Sequence, residues 1–472
     1  MPAICTPDDL SFAEELPTAC AGVFVDQSAA ASGDGSRGTP FKTVTEALVS
    51  ADASKPIYLC ATALPPGETI ALPMGAELSI FGGLECGSWA RIGEPSRMVG
   101  MPDAPTLTVV GVQSKVRLED LEIVAQDAIV EGGSSIAVLV ANGSVELARC
   151  DLRAGDGFAG EDGVPYATQA TSGPAGTNGQ NGCLGPGVET GGEAGVNTCD
   201  GTGVTGGFGG SGTNSSTGGL GSDGENGGGI GGTGQSLSPG TSGADGAEGV
   251  EGANGPGGTG IGLLDAGGYL PAAPPASGEP GTAGRGGGGG GGAHNCQAGF
   301  AGPGGGGGGA GGCGGGAGNG GAGGGASFAL AVAAGIVTLV DCTLTATTGG
   351  SGGGGGDGQA GGNGGFGGSP GAIGGANPNV ALARSGGYGG SGGRGGRGGG
   401  GVGGPSAAIA RTDGASVIVD AGTAAALDGG TPSAGGIGAN NGQLGLNGET
   451  GAPGSVCGEL VFDGSPDGAC NQ

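Results

Sequence analysis

From Gly349 through Gly367 glycine occupies every third position without a miss, and it fills the next register as well except at Gln359. The remaining register, Ser351, Gly354, Asp357, Ala360, Asn363 and Phe366, carries almost all the side chains. Three residues per turn is the period of a polyproline II type helix, and two faces without side chains let neighbouring backbones approach on two sides. Gly243, Gly246, Gly249, Gly252 and Gly255 keep the same triplet, and Ser385 to Gly404 continues it as SGG YGG SGG RGG RGG GGV GG. Collagen is the rival reading, but proline is sparse and two glycines per triplet exceed what a triple helix requires. A lone strand of this kind has no internal hydrogen bonds, so ordering it demands neighbours. A bundle of antiparallel strands would pair N–H with C=O, turning at glycine-poor breaks such as Leu263 to Ala276 and Pro370 to Leu382. The competing expectation is a set of flexible linkers, because glycine loses more backbone freedom on folding than any other residue.

Of 472 residues 133 are Gly, and Phe, Tyr and Trp number only 10, 4 and 1, too few large side chains for the core of an ordinary α/β enzyme. The 42 acidic residues against 14 basic ones give a net charge of −28, which repels nucleic acid and anionic membranes. Arg394 and Arg397 are therefore read as a solvated face and not as an RNA-binding segment. No GxxxxGK[ST] phosphate loop occurs. The acidic groups Asp156, Glu161 and Asp162, and Asp223 with Glu225, do not recur at the nine-residue spacing of a calcium roll. The expectation is no metal and no cofactor. Phe208, Tyr269, Phe366 and Tyr388 are spaced along the glycine-rich parts, and their rarity favours packing over binding.

The cysteines are even in number: Cys5, Cys20, Cys60, Cys86, Cys150, Cys183, Cys199, Cys296, Cys313, Cys342, Cys457 and Cys470. No CxxC pair suggests zinc, so disulfides formed in an oxidising compartment are expected. Cys5 and Cys20 could close a small loop. Cys183, Cys199, Cys296 and Cys313 lie in glycine-rich sequence, where closing a loop would constrain the unfolded chain most. No signal peptide or long apolar span is evident, and a secreted protein of this kind would start inside a longer precursor.

The chain divides into a disulfide lead (1–21), a strand-rich segment with a cap (22–154), a glycine-rich insert (155–325), a short strand unit (326–348), a second insert (349–404), another strand unit (405–428) and a glycine-rich tail closed by a disulfide (429–472). In the strand-rich segment, Val23 to Asp26 reads as a strand, Thr39 to Ala51 as an amphipathic helix, and Ile57 to Cys60, Thr69 to Leu72, Glu77 to Phe81, Leu107 to Val110 and Lys115 to Val124 as short strands. The succession of GTPFKTVTEAL, IYLCATAL and SIFGGLECGSWAR resembles the opening of secreted right-handed parallel β-helix proteins of the pectin-lyase-like class. The resemblance covers about residues 22 to 155. It implies that the helix caps one end of the stack and that the Gly-Gly turn and Trp89 lie near the early rungs; it implies fold, not activity.

An internal repeat supports stacked rungs. SSIAVLVANGSVELARCDL from Ser134 aligns without a gap on ASFALAVAAGIVTLVDCTL from Ala326, and PSAAIARTDGASVIVDAGT from Pro405 fits after one inserted residue. If rungs stack at about 4.8 Å, both ends of each insert must lie on one side of the stack, and Cys150 and Cys342, equivalent in adjacent rungs, are predicted to bond. The expected fold class is all-β, a parallel β-helix with a capping helix and polyglycine II bundle insertions.

The function expected is non-catalytic: an extracellular or cell-surface structural or adhesive protein, with self-association through stacked ends as one use. Its partners would be itself, another surface protein or a glycan, with no nucleic acid and no membrane insertion. Two alternatives stay open. Ice binding would need a flat face of Ala, Thr or Ser, which Asp357, Asn363, Phe366 and Arg394 interrupt. A polysaccharide-binding protein or lyase would draw on Asp120, Glu122, Arg149, Asp151 and Arg153 near the rung ends, although these read more simply as ordinary outward residues.

Overall fold

The computed structural model describes the chain apart from residues 1–4, 63–66, 73, 76, 112–113, 237, 297–298, 375–381, 425, 440–446, 466–467 and 472. Three sheets dominate it. The first runs in order through Val23–Val25, Ile57–Ala61, Glu77–Glu85, Lys115–Glu119, Ser144–Ala148, Ile336–Val340 and Ser416–Val419. The second runs through Ser96–Val99, Leu121–Val124, Asp151–Arg153, Thr343–Thr345 and Leu427–Asp428. The third runs from Ile70–Leu72 through Leu107–Val109, Ser135–Val140, Ser327–Val332 and Ser406–Thr412 to Val456–Phe462. All these pairings are parallel, and Ala469–Asn471 adds one antiparallel strand to the end of the third sheet. From Lys115 onward the chain visits first, second and third sheets in a repeating order.

The repeat alignment reproduces the register. Ser135 pairs with Ser327 and Ser327 with Ser406, while Val145, Val337 and Val417 share a level in the first sheet. Like residues therefore stack on like: Leu118, Leu147 and Leu339 form one buried column, and Ile123, Leu152 and Leu344 another. Each inward leucine buried this way contributes roughly 1.5–3 kcal/mol relative to an exposed one.

Between the first and second sheets the chain turns on one residue, Asp120, Arg149 or Asp341, with φ of 52°, 50° and 52°. The predicted continuous strand Lys115 to Val124 is thus split at Asp120. The predicted helix from Thr39 to Ala51 shortens to Val44–Leu48, because Phe41 is drawn into pairing with Val25. Thr43 caps it in a reciprocal box with Glu46, and the amides of Val44 and Thr45 donate to the Glu68 carboxylate. Val44 and Ala47 then bury against the first strands of the core.

Two further apolar clusters flank the core. The lead packs Leu10 and Leu16 on Phe24, Tyr58, Phe81 and Trp89. A hairpin inside the long insert, Leu263–Asp265 with Gly268–Leu270, lays Leu264 and Tyr269 over Phe328, Ala331, Ala407 and Leu460. The middle of the third sheet is consequently buried on both faces, with Ser135–Val140 and Ser327–Val332 buried at every position.

Five disulfides are present: Cys5–Cys20, Cys60–Cys86, Cys183–Cys296, Cys199–Cys313 and Cys457–Cys470. The predicted Cys150–Cys342 bond is not among them, and both are buried thiols. In-register parallel strands hold equivalent Cβ atoms about 4.8 Å apart, whereas a disulfide needs about 3.8 Å. Each thiol instead donates to backbone carbonyls, Cys150 to Ala148 at 3.4 Å and Cys342 to Leu147 at 3.4 Å, and burial pushes the Cys150 thiol pKa up.

All three glycine-rich stretches leave after a second-sheet strand and return into a third-sheet strand. Buried serines mark the first two returns, at Ser327 and Ser406, and Ser135 holds the same level one strand earlier, whereas the third return is at Val456. Ser135 Oγ accepts the Gly155 amide, Ser327 Oγ donates to the Gly155 carbonyl and accepts from Thr347 N–H, and Ser406 Oγ donates to Thr347 and Gly429 carbonyls.

Candidate interaction surface

The glycine-rich segments are ordered against one another. Segment 302–325 donates in turn to three neighbours: Gly307 N–H to Thr177, Gly308 to Gly207, and Gly309 to Gly387. Its carbonyls accept from three others, as when Gly192 donates to Gly305, Gly287 to Gly309 and Gly365 to Ala310. At 304–311 the segment is thus ringed by six backbones. Residues 286–293 are likewise enclosed, and 383–404 becomes so near the sheets. The bundle is not wholly antiparallel as expected: 302–325 runs antiparallel to 278–293 and 349–374 but parallel to 383–404, since Gly306, Gly309 and Gly312 donate to Arg384, Gly387 and Gly390.

Glycine count per triplet follows the number of neighbours. Where every register is glycine, at 304–309, the residues are all buried. Where two registers are glycine, at 349–368, the third points outward. Where one is glycine, at 243–252, the glycines are half-buried and the residues between them exposed. A side chain is admitted where a neighbour ends. A Cβ on Gly307 would stand 2.0 Å from the Glu193 carbonyl oxygen, but two triplets later Cys313 reaches Cys199, in the turn that follows that neighbour. The expected break at Leu263 to Ala276 holds the hairpin; that at Pro370 to Leu382 lies largely outside the described residues.

Outward backbone amides are capped by polar side chains of the adjacent segment. Asp162 accepts from Gly354, Asn178 from Ser369, Asn181 from Ala372, Asp245 from Tyr388 and Asn254 from Arg397. The acidic groups weighed for calcium do this work: Asp156 accepts from Thr348, Asp223 from Gly231 and Glu225 from Thr205, while the Glu161 carbonyl accepts from Ala322. The sequence reading missed these acceptors, although their recurrence between widely spaced glycines was visible.

On one face the outward registers of 349–374 and 383–404 run side by side. The backbone pairs Gly386 with Gly368, Gly389 with Gly365, and Gly392 with Gly362, setting Phe366 level with Tyr388, Asn363 with Ser391, and Asp357 with Arg397. The Phe366 and Tyr388 rings meet edge to face, 5.7 Å between centroids, and are 70% and 55% exposed. The Phe366 carbonyl accepts from Gly176 and the Tyr388 carbonyl from Gly246, so both rings stand on fixed backbone. Packing was favoured for the scarce aromatics; Tyr269 does pack, but Phe208, Phe366 and Tyr388 are exposed. Nor is the arginine pair a simply solvated face, for Arg397 is buried with Nε 3.3 Å from Asp357, which Arg394 also approaches at 3.5 Å.

The rung-end charges are tied to one another. Arg149 bonds Asp120 at 2.8 Å, reaches Asp8 at 3.3 Å and pairs with buried Glu119; its hydrogen bond to Asp120 raises its pKa further. Arg153 pairs with Asp151 and Glu122, and Arg97 with Glu122 at 3.5 Å. Asp120 and Arg149 are corner residues, not members of an alternating strand face. A polar cleft of about 420 Å³ lies over Glu77, Lys115, Arg117 and Glu146, and a cleft of about 820 Å³ is lined by hairpin residues Leu263, Leu264 and Leu270 together with Thr412 and Phe462. Among the described residues the group with metal-like spacing is Asp26, Cys60 and Cys86, whose two sulfurs are already bonded to each other. No helix among them is long and apolar enough to cross a membrane.

Comparisons with protein families, curated proteins and solved structures return no match for this chain. The similarity of residues 22 to 155 to pectin-lyase-like proteins rests on motif order and on parallel sheets alone.

Proposed function

We propose that the three parallel sheets are the faces of a right-handed parallel β-helix, that the glycine-rich segments are a polyglycine II bundle fixed to one of its corners, and that the whole is a non-catalytic extracellular structural or adhesive module. The observation that carries this reading is the enclosure of 304–311 by six hydrogen-bonded backbones, which supports reading the inserted sequence as a rigid body with its variable side chains outside. Five disulfides fit an oxidising compartment. The arginines near the rung ends, Arg97, Arg149 and Arg153, are engaged by carboxylates, which argues against their serving as the proton acceptor of a lyase there. For self-association, the edge of Ser416–Val419 away from Ile336–Val340 is the surface to consider, since a helix covers the other end of the stack. The test combines two assays: fluorescently labelled chain is added to cell envelopes, and unlabelled chain to acidic polysaccharides. Saturable attachment with no unsaturated product supports the reading; steady product release overturns it.

A further inference from the structure

We infer that the paired outward registers from Asn363 to Ser369 and from Ser385 to Ser391, centred on Phe366 and Tyr388, bind an extended neutral glycan. This rests on the adhesive reading and names its ligand. Two large rings on one level, most of their surface in water, contribute little to the bundle they stand on. Aromatic faces carry negative charge density and attract the polarised C–H face of a pyranose. On the flanking levels the side chains of Asn363, Ser369 and Ser391 make no hydrogen bond among the described residues, leaving an amide and two hydroxyls for sugar hydroxyls. Successive levels are about 9 Å apart at 3.1 Å per residue, so the strip is straight and repeats, which suits a chain of repeating units better than a folded epitope.

Charge decides the class of glycan. Arg394 and Arg397 are held at one end by Asp357, and the neighbouring segment borders the strip with exposed Asp245, Glu248 and Glu251 on a chain of net charge −28. An acidic polysaccharide would meet that border unfavourably. Two copies laid strip to strip would bring two acidic borders together, which disfavours self-association here.

Native gels containing hydroxyethylcellulose, galactomannan or polygalacturonate test this with the full chain. Retardation is expected from at least one neutral polymer and not from polygalacturonate. Replacing Phe366 and Tyr388 together by Ala should weaken it at least tenfold, while Phe208→Ala, elsewhere on the bundle, should leave it unchanged with an unaltered circular dichroism spectrum. Lack of retardation by both neutral polymers, equal retardation of the double variant, preference for polygalacturonate, or loss of a dimer in the double variant would each overturn the inference. Envelope attachment that survives in the double variant would sink the strip and leave the adhesive reading standing.

Discussion

Gly308 lies so close to Gly287 that a Cβ added to it would stand 2.0 Å from the Gly287 carbonyl oxygen. Both glycines are in fully enclosed segments, so no flexible side chain can give way. Gly308→Ala is expected to destabilise the chain by about 3 kcal/mol or more, at the upper end for overpacked interiors. Ala247→Ser, on an exposed register of an edge segment, should stay within about 0.5 kcal/mol. Denaturant midpoints of the two variants check the contrast.

Cys150 and Cys342 should behave as thiols that solvent cannot reach. Titration with a thiol reagent is expected to find no reactive cysteine in the folded protein and two after unfolding without reductant, because the other ten are bonded. No thiols after unfolding would mean that the two are joined.

Asp34, in the turn before the helix, accepts from the Thr39 hydroxyl and the Ser36 amide, and the Thr39 bond leads in lowering its pKa from 3.8 to about 2. A depressed folded-state carboxyl stabilises above its unfolded value and loses that contribution as pH falls toward about 2. Thermal midpoints between pH 5 and pH 2 should fall less steeply in Asp34→Asn than in the parent, and the two curves should converge at the acid end.

Much of the architecture was legible because its period was in the text. Strands that pair in parallel register repeat residue for residue, so Ser135, Ser327 and Ser406 could be aligned before any strand was placed. Triplet glycine could likewise be read as a packing pattern, since only hydrogen can occupy an inward register. Direction was not legible: a backbone without side chains pairs either way, and the mixture of parallel and antiparallel neighbours is set by where the turns fall. The fate of Cys150 and Cys342 was misread because register gives proximity but not the convergence of Cβ atoms that a disulfide needs. Of the candidate surface, the sequence supplied Phe366 and Tyr388 but not their pairing, which depends on an antiparallel alignment of two segments that no periodicity fixes.

Amide hydrogen exchange of the glycines at 304–312 tests the central claim most directly, because the ordered bundle rests on these N–H groups donating to surrounding carbonyls. The account predicts protection comparable to that of Ser327–Val332 in the third sheet. Exchange at the rate of an unstructured glycine peptide, with the sheet still protected, would contradict it.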